Sequence, residues 1–116
     1  MPRLDHAAFE SDDPDAVARF YERVLEARVV KAEGHPVMAY VGNSGFAFHE
    51  RGGPGDHVAV RVSEQERQAI AERLRADGVE HEERDHEIAV GLFFHDPEGR
   101  LVEAITYASG DDPRRP

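Results

Sequence analysis

The stretch GDHVAV, residues 55–60, repeats the pattern of LDHAAF at residues 4–9. Each sets Asp-His ahead of a run of small and apolar residues that reads as a strand. His6 and His57 stand close to half the chain apart, so the repeat divides the chain into two like halves. A helix pattern follows each strand. In the first half, Asp12 or Asp13 can cap a helix and Pro14 suits its first turn. Val17, Phe20, Val24 and Leu25 then recur at helical spacing until the pattern ends near Ala27. In the second half, Ser63 and Glu66 have the spacing of a capping box, Ile70 and Leu74 form a thinner stripe, and Asp77-Gly78 closes the helix. Three short strand patterns follow each helix. The last two of each half are joined by a turn, GNSG at 42–45 and DPEG at 96–99. The chain therefore reads β-α-β-β-β twice, an α+β organisation. The modules are expected at 1–53 and 54–108, together one domain, with residues 109–116 as a flexible C-terminal tail.

The repeat also works as a ruler. Four residues beyond Gly45 lies His49, and four beyond Gly99 lies Glu103. Strand alternation assigns faces to these groups. In HVAVRV, residues 57–62, His57, Ala59 and Arg61 share one face, and the valines 58, 60 and 62 are expected against the helix. Phe46 and Phe48 take the helix face of their strand, which turns Ala47 and His49 the other way. Ala7 and Phe9 do the same for His6. The alternation is less clean around Glu103, which shares its face with Leu101 and Ile105. A carboxylate in so apolar a strand needs either solvent or a positive partner, because burying an unpaired charge is costly.

Composition bounds the function. The chain has 116 residues, 40% of them hydrophobic, enough for one modest core. It has no cysteine, so disulfides and thiolate ligands are excluded. With 14 basic and 24 acidic residues its formal charge is −10, which argues against nucleic acid as a partner. The opening MPRLDHAAFE lacks the apolar run of a secretory signal, and no stretch approaches the length of a membrane span. A cytoplasmic protein without membrane contact is expected.

Residues 3–107 resemble the vicinal oxygen chelate superfamily, which includes glyoxalase I, extradiol dioxygenases, methylmalonyl-CoA epimerase, and the fosfomycin- and bleomycin-resistance proteins. The resemblance rests on the two histidine strands, on HDPEGRLVEAITY at 95–107, and on the doubled β-α-β-β-β order. It implies a glyoxalase-like fold of two modules whose open, curved, mixed sheets surround a cavity. In the metal-dependent members the ligands lie on the first and last strands of each module, where His6, His49, His57 and Glu103 stand. The resemblance thus implies a divalent cofactor, iron, manganese, zinc or nickel, and a metal ion as the partner of Glu103. Such a site chelates two neighbouring oxygens of a small-molecule substrate, for a lyase, isomerase, dioxygenase or resistance-type transferase.

His49 departs from the glyoxalase pattern and stands as a fourth ligand, a general base or a pocket wall. Glu50 would replace it if the strand slipped by one. Arg61 is expected to line the substrate pocket and to meet an anionic substrate or Glu103. His35, His81 and His86 read as solvated, His95 as a rim residue, and Tyr40 and Tyr107 as packing. A metal-free protein that sequesters a cationic drug at a dimer cleft is the alternative, and the intact ligand set weighs against it. The resemblance also implies a homodimer, with His6 and His49 from one chain meeting His57 and Glu103 of the other in each cavity.

Overall fold

The computed structural model describes all of residues 1–116. The first half runs β1 (Arg3–Ser11), α1 (Pro14–Leu25), β2 (Arg28–Val30), β3 (Val37–Val41) and β4 (Ser44–Glu50). The second runs β5 (His57–Arg61), α2 (Glu64–Ala76), β6 (His81–Asp85), β7 (Ala89–His95) and β8 (Leu101–Tyr107). The strands are ordered β2-β3-β4-β1 in the first half and β5-β8-β7-β6 in the second. In both, the first and last strands pair in parallel and the remaining pairs are antiparallel. The α+β class and the doubled β-α-β-β-β order are therefore as read from the sequence. By contacts, two compact units form, Asp5–His57 with Arg114–Pro116, and Met1–Leu4 with Val58–Pro113. No helix is long and apolar enough to cross a membrane.

The helix boundaries follow from their capping groups. Asp13 accepts from the Ala16 amide at 3.1 Å, and Pro14 occupies the first turn of α1. At the other end Glu26 takes a left-handed conformation, φ 56°, where glycine would be easier. In α2 the capping box is complete. Ser63 Oγ accepts from the Glu66 amide at 3.0 Å, and Glu66 Oε1 accepts from the Ser63 amide at 2.8 Å. That backbone N–H holds the Glu66 carboxyl below the usual range. The DPEG turn is held the same way. Asp96 Oδ1 accepts from the amides of Glu98 and Arg100 at 2.9 and 2.8 Å, and the Arg100 amide above all lowers its pKa. Gly99 supplies the positive φ, 84°, that lets the chain enter β8.

Packing bears out most of the face assignment. Phe46 and Phe48 stack on each other and meet Tyr21 of α1 at 4.8 and 5.0 Å. Ala47 lies on the opposite face with Ala8, Met38 and Tyr40. In the second half Val60 and Val62 pack with Leu92 and Ala104 beneath Ile70 and Leu74 of α2. Ala59 and Ile105 lie on the other face with Ala89 and Tyr107, which settles the face of Glu103 as well.

Two details differ. Val58, expected against α2, is 44% exposed and falls outside the cluster under that helix. The packing face of α1 is Val17, Ala18 and Tyr21, while Phe20, Val24 and Leu25 are exposed. The aromatic cluster chooses this rotation: Tyr21 sits edge-on to both sheet phenylalanines. The outer strands are blunted, β2 by its three residues and β6 by its charged, largely exposed sequence HEERD.

Phe48 is 1% exposed, so Phe48→Ala should cost roughly 3–5 kcal/mol. Val58→Thr should cost less than about 0.5 kcal/mol, as a surface change does. Urea denaturation of both variants checks this, and similar losses would contradict the packing described.

Candidate metal centre

In the Asp5–His57 unit the structure brings three histidines together. The rings of His6 and His57 stand edge-on with centroids 5.9 Å apart. Each offers a nitrogen within 4.8 Å of the other's. His49 lies beside His57, centroids 6.3 Å apart and planes tilted by 40°. His6 and His57 are buried and His49 half-buried. The expectation that His57 would reach His6 and His49 from a second chain is corrected here. One chain assembles all three, because β4 pairs directly with β1 and the loop after β4 carries the chain back to His57.

What the sequence did not disclose is how the rings are held. Asp5, 2% exposed, has Oδ2 at 2.8 Å from His6 Nδ1. Its other oxygen lies 3.6 Å from Arg115 Nη2, and the Arg115 guanidinium rests over the Tyr40 ring. His57 is held differently. Its Nδ1 donates to the Gly55 carbonyl at 2.7 Å. Gly55 adopts φ 89°, open to glycine, and its amide donates to Glu10 Oε2 at 3.0 Å. Asp56, which looks in sequence like the twin of Asp5, accepts instead from the Glu10 amide at 2.8 Å. The two Asp-His pairs are alike in sequence and unlike in chemistry. In both, the partner is an oxygen that accepts, so Nδ1 is the donor. In a neutral ring so held, Nε2 is the nitrogen that carries the lone pair.

In the other unit, Glu103 sits on β8 opposite Phe93 and is 2% exposed. Its Oε2 lies 3.4 Å from Nε2 of His86, which the sequence placed among the solvated histidines. His86 is exposed, as the sequence reading has it, and edge-on to Phe93 at 6.0 Å. Spacing could not have found it, since it sits in the turn before β7 and outside the repeat.

Arg61 is buried. Its Nη1 lies 2.7 Å from Asp111 Oδ1, and its guanidinium rests over Tyr107 at 5.3 Å. The expected tail thus holds groups that meet buried arginine and aspartate, Asp111 in one unit and Arg115 in the other. Glu50 is exposed at the end of β4, and His49 keeps the face of Ala47, so the register stands as read. His95 is exposed at the end of β7, and His35 and His81 are half-buried, the latter bonded to the Val79 carbonyl.

The family model for glyoxalase-like domains matches residues 6–105. Among solved structures, methylmalonyl-CoA epimerase from Mycobacterium tuberculosis has a TM-score of 0.73 at 24% identity, covering 90% of this chain and 87% of its own. A methylmalonyl-CoA epimerase in complex with methylmalonyl-CoA and NH4+ has a TM-score of 0.75 at 23% identity, covering 97% and 99%. A hypothetical protein from Bacillus halodurans C-125 has a TM-score of 0.72 at 19% identity, covering 90% and 94%. No curated protein sequence matches the chain significantly. By its family match, the chain belongs to the glyoxalase-like domains of the vicinal oxygen chelate superfamily.

Proposed function

We propose that the protein is a divalent-metal enzyme that transfers a proton next to a carbonyl, with His6, His57 and Glu103 as the metal ligands. The observation that carries this reading is how the two imidazoles are held. Both have Nδ1 engaged, by Asp5 and by the Gly55 carbonyl, which leaves Nε2 as the ligand atom on each. Two neutral imidazoles and one carboxylate suit iron, manganese, zinc or nickel, and they leave positions open for substrate. Bound there, the metal would stabilise negative charge developing on two neighbouring substrate oxygens. His49, half-buried beside His57, takes the role of general base, removing a proton from the substrate carbon with a ring nitrogen. Arg61 would meet an anionic substrate only by sharing or releasing Asp111. Because neighbours of the same fold are methylmalonyl-CoA epimerases, methylmalonyl-CoA is the first substrate to try.

Titration of the metal-free protein with Co2+ tests the ligands. Substituting Ala for His6, His57 or Glu103 should abolish tight binding while the protein stays folded. Asp5→Asn should weaken binding by roughly 10–100-fold, because a neutral amide holds the His6 ring less firmly than the carboxylate and makes it a weaker donor to the metal. His49→Ala should bind the ion nearly as the parent does, yet lose exchange of the substrate α-proton for deuterium. One equivalent of metal retained by the double variant His6→Ala, His57→Ala contradicts the site. A parent protein that takes up no metal returns the reading to a metal-free, drug-sequestering protein.

We also propose a homodimer. Phe20, Val24 and Leu25 leave an apolar stripe on α1, and Leu4 and Val58 are exposed as well. Sedimentation at micromolar concentration should give twice the chain mass, and a monomer would exclude this assembly.

A further inference from the structure

Gly91 occupies the middle of β7, opposite Ile105 of β8, two residues before the partner of Glu103. It is buried, and it is not among the glycines with positive φ. Backbone conformation therefore does not call for glycine here. Space does. A Cβ on Gly91 would collide with Glu103 Oε2, and would stand 3.0 Å from Glu103 Cδ and 3.1 Å from the Phe93 ring. The Glu103 side chain thus lies diagonally across β7, over the bare backbone of Gly91, between residues that are cross-strand neighbours on one face. The same oxygen, Oε2, is the one that His86 Nε2 approaches at 3.4 Å. Phe93 is directly opposite Glu103 and supports the His86 ring edge-on.

We propose that Gly91 and His86 are positioning residues for Glu103. Gly91 provides the slot in which the carboxylate lies, and His86 steadies its Oε2. Together they set the reach and orientation of the acid. This rests on the reading of Glu103 as a metal ligand. A carboxylate with free torsions samples many postures, and a ligand must hold one. The colliding atoms belong to the flexible end of Glu103, so a methyl at position 91 is met by rotating the carboxylate rather than by unfolding the sheet.

Co2+ titration followed by visible absorption, together with thermal melts of the metal-free proteins, tests the proposal. Gly91→Ala should weaken Co2+ binding at least tenfold and alter the ligand-field bands of the bound ion, since the carboxylate approaches it differently. In a Glu103→Asp background the same substitution should cost less than threefold, because the shorter acid does not reach across β7. A merely structural glycine would instead lower the melt equally in both backgrounds, leave the affinity of the folded protein unchanged, and overturn the proposal. His86→Ala should weaken binding several-fold and His86→Gln, which keeps a donor, should restore most of the loss. This second arm decides the matter if Gly91→Ala fails to fold, and equal affinities of both His86 variants and the parent would overturn the proposal. Full affinity in Glu103→Gln, or no binding by the parent, overturns the metal-ligand reading itself and this inference with it. Loss in Glu103→Gln with no loss in either Gly91→Ala or His86→Ala overturns the positioning role alone.

Discussion

An imidazole has two nitrogens, and a neutral ring protonates only one. Whichever nitrogen is claimed by a fixed acceptor becomes the donor, and the other keeps its lone pair. The site of this protein depends on that constraint being imposed twice. His6 is claimed by the neighbouring Asp5 carboxylate, itself backed by Arg115. His57 is claimed by the Gly55 carbonyl, aimed by a left-handed glycine and by the hold of Glu10 on Gly55 and Asp56. Much of the loop between β4 and β5 follows from this need, since it must deliver an acceptor as well as a turn. A metal at such a pair would meet rings already oriented, and little ordering cost would remain at binding.

The two halves share an architecture but not a chemistry. Each pairs its first and last strands in parallel, and each buries a second face of two alanines, a tyrosine and one larger apolar residue, Met38 or Ile105, opposite its helix. The first half builds its helix-side core from stacked phenylalanines and Tyr21, the second from aliphatics under Ile70 and Leu74. The last strand carries an imidazole in one half and a carboxylate in the other. The fold doubles a scaffold, and sequence divergence within it separates the donors.

Much of the fold was legible because it depends on local rules. The capping box at Ser63, the proline of the first helix and the DPEG turn are short-range devices that act wherever they occur. The faces of His6, His49 and His57 followed from alternation. What escaped depends on three-dimensional neighbours. The rotation of α1 is set by Tyr21 meeting two phenylalanines far along the chain, which periodicity alone cannot rank against Phe20, Val24 and Leu25. Asp5 and Asp56 both precede a histidine, and their partners set them apart, His6 for one and the Glu10 amide for the other. His86 and Gly91 lie outside the repeat, so nothing in the spacing tied them to Glu103. The tail reads as polar surface, yet Asp111 and Arg115 reach buried partners of opposite charge.

Anomalous diffraction at the absorption edge of a loaded metal decides whether these two rings hold the ion. A single strong peak is expected, bonded by Nε2 of His6 and Nε2 of His57, at about 2.0–2.1 Å from each as such bonds require, with the Asp5 and Gly55 contacts to Nδ1 retained. A peak bonded through Nδ1, a peak away from these two rings, or no peak in crystals soaked with the metal would contradict it.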